Sequence, residues 1–184
     1  MALTPSNMLE IDTEAPSFSL PDVVSGKIFQ LEDFKEKKVL LVMFICNHCP
    51  YVLHVNEALV RLGQDYLSKS VGIVAISSNN IEKYPQDSPE KMKQIAMELG
   101  YSFPYLYDES QVVAKAYDAA CTPDFYVFDA ERKLKYRGRL CPSRPNSDVP
   151  VTGEDLRAAI DAILMDTKVN PIQYPSMGCN IKWK

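Results

Sequence analysis

Cys46-Asn47-His48-Cys49 is the segment whose residue types and spacing point most directly to chemistry. Two cysteines three positions apart, where a strand ends and a helix begins, lie on one side of the first helical turn, close enough to form a small disulfide. Free N–H groups and the positive dipole end at a helix start favour thiolate over thiol, and such surroundings lower a cysteine pKa from ~8.5 into the range ~3.5–7.5. Thiolate is the attacking species in disulfide exchange, so Cys46 is expected to attack and Cys49 to resolve the mixed disulfide. A charged His48 adds to the stabilisation of thiolate; an uncharged one is a polar side chain at a helix start.

Other uses of the pair meet obstacles. Haem attachment needs histidine directly after the second cysteine, where Pro50 stands. A zinc site built on Cys46, Cys49 and His54 lacks a fourth ligand, and the chain has no second C-x-x-C. Two buried structural cysteines are a third option. A second feature, Cys121-Thr122-Pro123, precedes a strand. Proline lowers the cis penalty to ~0.5–1 kcal/mol, so Thr122-Pro123 is a candidate cis bond, although a trans proline opening a strand fits the spacing too.

The elements that must position these residues follow from periodicity. Residues 18–20 and 27–31 read as a hairpin around Val24-Ser25-Gly26. Residues 32–38 read as a charged surface connection, and residues 39–45 run apolar on both faces, as a central strand does. Val52, Val55, Leu59, Leu62 and Tyr66 recur at helical steps. Residues 71–77 are a second buried strand, and Ser88-Pro89 caps a helix that closes at Gly100. After a short apolar segment at 103–107, Asp108 to Gln111 reads as a capping-box start. Residues 124–129 and 133–139 alternate as antiparallel neighbours, 138–150 is a loop, and Thr152 to Asp155 opens a last helix. This order predicts an α/β fold in three layers: a mixed central sheet with helices on both faces and an N-terminal hairpin at about 17–31. One domain, 1–184, is expected, with a tail at about 170–184.

Composition narrows the function classes. Lys+Arg number 20 against Asp+Glu 24, a formal net charge of −4 with no basic cluster, which argues against nucleic acid as a partner. The longest apolar run, Val39 to Cys46, is too short to span a membrane, and residues 1–16 show neither a basic start nor an apolar core of a signal peptide. A cytoplasmic location is the resulting expectation. Five cysteines in that setting suggest reduced, reactive thiols over a disulfide framework.

The chain resembles the thioredoxin-like superfamily: strand, C-x-x-C, helix, then Thr-Pro before two antiparallel strands and a last helix. Ala15-Pro16-Ser17-Phe18-Ser19-Leu20-Pro21-Asp22 resembles the opening of its alkyl hydroperoxide reductase/thiol-specific antioxidant and redoxin branch. Within that branch, Met43 to Val52, Ala120 to Asp124 and the ending Cys179 to Lys184 are similar to a bacterial thioredoxin-family group related to thiol-disulfide interchange proteins. The resemblance implies a cis bond at Thr122-Pro123, with both residues facing the redox cysteines and the substrate. It also brings Cys121 close enough to be a modulator, and predicts a Cys46–Cys121 or Cys49–Cys121 disulfide under oxidant.

Departures from the pattern are as informative. Ile45 stands where thioredoxins carry tryptophan, and Leu40 where they carry a buried acid, so the proton route to Cys49 must differ. Peroxiredoxins place proline and a hydroxyl residue where this chain has Val39 and Met43. A thiol-dependent peroxidase is therefore the alternative to a thiol-disulfide oxidoreductase, with a non-enzymatic metal-binding or thiol-sensing module as a third reading. The oxidoreductase needs a disulfide-containing protein or small molecule as substrate, a separate thiol reductant and no bound cofactor, because the dithiol carries the two electrons.

Of the remaining residues, Cys141 is expected in an exposed loop. Cys179 is expected in a tail that either frays or packs Trp183 on the body and holds the thiol near the site. Arg137 and Arg139 read as a solvated strand face, and Tyr101, Tyr105 and Tyr107 as packing residues.

Overall fold

Six consecutive apolar residues, Val39–Phe44, are satisfied only by a strand with cover on both faces, and the computed structural model, which describes residues 3–184, buries all six. The strands in chain order are β1 (Leu3–Pro5), β2 (Ser19–Pro21), β3 (Ile28–Gln30), β4 (Val39–Phe44), β5 (Val71–Ser77), β6 (Tyr105–Tyr107), β7 (Cys121–Thr122), β8 (Asp124–Phe128), β9 (Leu134–Gly138) and β10 (Met177–Asn180). The helices are α1 (Pro50–Tyr66), α2 (Pro89–Leu99), α3 (Val112–Ala116) and α4 (Glu154–Leu164). The main sheet has the order β6-β5-β4-β8-β9, with β4, β5 and β6 parallel and β8 antiparallel to both β4 and β9.

Strand alternation divides the core. Val39, Leu41 and Met43 point into a layer with Val52, Val55, Leu59 and Leu62 of α1, Met92 of α2 and Leu156 and Ile160 of α4. Leu40, Val42 and Phe44 point the other way, onto Phe18, Leu20, Phe34, Val113 and Tyr117. Burying each such side chain is worth roughly 1.5–3 kcal/mol, so β4 is anchored from both sides and holds its C-terminal end, where Cys46 begins the site, in a fixed position. The structure has the thioredoxin-like α/β fold, with three helices on one face and α3 plus the β2-β3 hairpin on the other. Among the described residues, no helix is long and apolar enough to cross a membrane.

Several local expectations are met residue by residue. Ser88 accepts the Lys91 amide at the start of α2, Pro89 takes the first helical position, and Gly100 closes the helix in the left-handed region (φ 71°). Others are corrected. The connection at 32–38 contains a 3-10 turn (Leu31–Phe34) that buries Phe34 against Phe18 and Phe29. The capping box at Asp108 does not form: Gln111 takes a left-handed conformation (φ 63°), and Asp108 is buried, accepting from the Ala114 amide and the Ser78 hydroxyl. Arg137 and Arg139 are not merely solvated. Arg137 donates to Gln173, and Arg139 pairs with Asp155 and covers the Tyr174 ring.

The C-terminal tail is the largest difference. It does not fray and it holds the Cys179 thiol near the site, as one expectation had it, but Trp183, 39% exposed with Lys115 over its ring, is not the main dock. Instead β10 lies between β1 and β7 in an antiparallel three-stranded sheet, with Cys179 opposite both Leu3 and Thr122. Cys141, expected in an exposed loop, is buried.

Candidate active site

β4 delivers Cys46 to the sheet edge, and the chain turns into α1 at Pro50, so Cys49 is the residue that caps the helix. This differs from the expectation that the helix start would favour charge on Cys46. The free amides of the first turn gather at Cys49 instead. The Cys49 thiol is drawn well below its usual range, to about 4, chiefly by a hydrogen bond from Cys46. Burial opposes this shift, while a bond shared with the Cys179 thiol and the amides of Cys179 and Val52 assist it. Cys46 is pushed well up by holding the proton of that shared bond, by burial and by the Asp87 carboxylate, against the pull of Thr122. Two contacts are placed to accept from Cys49 Sγ, the Thr122 carbonyl oxygen at 3.2 Å and the Cys179 sulfur at 2.9 Å. The Cys46 bond and the amides of Cys179 and Val52 pull the other way and lower Cys49.

Thr122 is the hinge of the arrangement. Its hydroxyl lies 3.4 Å from Cys46 Sγ while its carbonyl meets Cys49, and the Thr122-Pro123 bond is cis. The residues singled out in sequence thus meet as a group: Cys46, Cys49, Thr122 and Pro123. Cys121 does not join them. Neighbouring residues of a strand point to opposite sides, and Cys121 Sγ lies 3.7 Å from the Pro123 carbonyl, beside Asp124. Cys179 takes the place nearest the pair, its sulfur 2.9 Å from that of Cys49. Burial, together with the bond to and charge on Cys49, raises the Cys179 thiol to about 12.

Close approach of β10 to the cis loop makes this possible. A Cβ on Gly178 would stand 2.0 Å from the Thr122 carbonyl oxygen, a distance no backbone tolerates. Gly178→Ala is expected to lift β10 away from β7 and to cost about 1–3 kcal/mol, read as a lower urea midpoint with the slope unchanged.

His48 and Asp87 form the second layer. The fully buried Asp87 carboxylate accepts from the Asn47 amide (2.8 Å), from His48 Nδ1 (2.7 Å) and from Asn79 Nδ2 (2.8 Å). The His48 ring stacks on Tyr84 at 5.1 Å. Asn47 in turn donates to the Gln86 carbonyl and accepts from the Tyr105 hydroxyl. The residues between the two cysteines are therefore clamped to the 85–87 turn, and His48 is tied to a carboxylate whose charge disfavours thiolate at Cys46. Asp87 was not visible as a site residue in the sequence; the only cue was an acid after proline with nothing to say what it would face.

The ligand atoms of Cys46, His48 and Asp87 lie within 4.8 Å of one another, the one donor cluster of metal-binding size among the described residues. His54, considered in sequence as a ligand beside Cys46 and Cys49, instead meets Ser143 Oγ at 2.8 Å. It lines a cleft with Tyr51, Pro123, Arg144 and Met177 that runs up to the cis proline. A further acid, Asp124, follows Pro123. It is fully buried, and burial raises its carboxyl to about 7 against the hydrogen bond donated by the Tyr126 hydroxyl (3.1 Å).

Comparison with known proteins supports the fold. Among solved structures, an uncharacterized conserved protein from Geobacillus kaustophilus is 58% identical, with a TM-score of 0.98, covering 100% of this chain and 97% of that one. A hypothetical protein from Sinorhizobium meliloti 1021 is 47% identical, with a TM-score of 0.97 and 98% of each chain covered. A thiol:disulfide interchange protein of the thioredoxin family from Chlorobium tepidum TLS shares the fold at 20% identity (TM-score 0.65; 85% of this chain and 99% of that one). No curated protein matches the chain. The Redoxin family profile matches residues 10–156, a span that holds the cysteine pair and the cis proline, and the chain belongs to the Redoxin family.

Proposed function

We propose that the chain is a thiol-disulfide oxidoreductase that works through Cys46 and Cys49. The observation that carries this reading is that both sulfurs meet Thr122 beside a cis proline, Cys46 Sγ 3.4 Å from its hydroxyl and Cys49 Sγ 3.2 Å from its carbonyl oxygen. Both residues are buried, Cys46 at 2% exposure and Cys49 at 0%; Cys46, the first residue beyond the β4 strand end and Ile45, is the one assigned to meet substrate. Access is narrow, which suits a small disulfide or an exposed disulfide on an extended chain.

The chemistry balances as two exchanges. Cys46 passes its proton to the Cys49 thiolate through their hydrogen bond and attacks one substrate sulfur. The substrate S–S bond breaks, and its first half leaves as a thiolate that takes up a proton. Cys49, ionised again, attacks the Cys46 sulfur, and the second half leaves in the same way. Two electrons pass from the dithiol to the substrate, and no bound cofactor is needed. A separate cytoplasmic thiol then reduces the Cys46–Cys49 disulfide.

Mixing reduced protein with one equivalent of an aromatic disulfide is expected to release two thiol equivalents and to leave an intramolecular disulfide that includes Cys49. Absence of release would refute the reading. Turnover of hydrogen peroxide with a thiol donor, without disulfide turnover, would point to a peroxidase. Stoichiometric zinc on an inert dithiol would point to a binding module.

A further inference from the structure

We propose that Cys179 is a third exchanging thiol, which takes the disulfide from Cys46 and stores it as an interior Cys49–Cys179 bond. The inference rests on the dithiol reading above and extends it. Three observations carry it. Cys49 Sγ lies 2.9 Å from Cys179 Sγ and meets the same Thr122 residue as Cys46 Sγ, so a Cys49–Cys179 disulfide needs little movement. The placement is built into the fold. Antiparallel pairing sets Cys179 opposite Thr122, and Gly178 permits a backbone approach that any side chain would block. Finally, the thiol is 5% exposed, so its one accessible partner is Cys49.

The step is an internal exchange without net oxidation. Starting from the Cys46–Cys49 disulfide, the Cys179 sulfur attacks Cys49 Sγ. The Cys46–Cys49 bond breaks, the Cys49–Cys179 bond forms, and the proton of Cys179 ends on the departing Cys46 sulfur. Burial keeps Cys179 a thiol in the reduced protein, with the bond to and charge on Cys49 adding to it. The latter two influences disappear once Cys49 is bonded to Cys46, so the attacking group becomes easier to ionise at the moment it is needed. The result returns Cys46 as a free thiol at the mouth of the site while the oxidising equivalent sits beneath it. Reduction runs in reverse, through Cys46, so the stored bond is out of direct reach of a bulky reductant.

The test equilibrates wild-type protein in a glutathione redox buffer, quenches in acid, alkylates after denaturation and maps disulfides by mass. The expected result is a population with Cys49–Cys179 bonded and Cys46 alkylated. With the two disulfides of similar stability, Cys179→Ser should lower the equilibrium constant for oxidation roughly twofold, because one of two oxidised forms is lost. Only Cys46–Cys49, with Cys179 always alkylated, would overturn the relay and leave the dithiol reading standing. No disulfide under any buffer ratio would overturn both.

Discussion

Cys46→Ser is expected to reduce disulfide turnover at least about a thousandfold, with the fold and the urea midpoint close to those of the wild type. A serine hydroxyl fits the space beside Thr122 but does not ionise near neutral pH or form a sulfur–sulfur bond. The loss falls on kcat and on kcat/KM alike, because the first bond to the substrate is never made. Cys49→Ser behaves differently. It leaves Cys46 able to attack once, although more slowly, since the anion that receives the Cys46 proton is gone. The reaction then stalls at the mixed disulfide, which no thiol is placed to resolve from the Cys49 position.

Asp124→Asn is expected to change the pH dependence of stability. The carboxyl moves from an ordinary 3.8 to about 7 in the fold, with burial the dominant cause. Below pH 4 the acid is neutral in both states and contributes no slope. Between about 4 and 7 the folded protein retains a proton that the unfolded chain has lost, so stability falls as pH rises through this window. Above 7 both states are ionised and the loss is complete, at most roughly 4 kcal/mol from a shift of this size. Replacing the acid with asparagine removes this contribution. The Cys49 thiol, lowered to about 4, acts in the opposite sense over the same window but is common to both proteins, so the test is the difference between them: from pH 4.5 to pH 8 the urea midpoint of the wild type should fall relative to that of the variant. Equal pH slopes in both proteins would show that Asp124 ionises as freely in the fold as in the unfolded chain.

How much could be read in sequence depended on how local each determinant is. Val39 to Phe44 identified itself as a central strand because six apolar residues in a row leave no solvent face, and Ser88-Pro89 with Gly100 marked both ends of α2 through capping that lies within a few residues. The C-x-x-C and the Thr122-Pro123 loop were legible because the chemistry they support needs fixed spacing and a particular residue type. The sheet of β1, β7 and β10 was not. Its strands are two to four residues long, too short for alternation to show, and Leu3 pairs with Cys179 from the far end of the chain. The role of Cys179 depends on that pairing and on the missing side chain of Gly178, neither of which is a local pattern. Asp87 was hidden for the same reason: its partners Asn47, His48 and Asn79 come from two other segments, and only the folded chain brings them to one carboxylate. Placing Cys49 rather than Cys46 at the helix cap was a matter of where the turn into α1 closes, a boundary that Pro50 moves by a few residues.

The account depends on Cys46 being the sulfur that meets substrate. The most direct check is to incubate Cys49→Ser with a disulfide substrate, quench in acid and locate the adduct by mass mapping. A mixed disulfide on Cys46, one per chain and released by a small thiol, is the predicted result. An adduct confined to Cys121, Cys141 or Cys179, with Cys46 left unmodified, would contradict it.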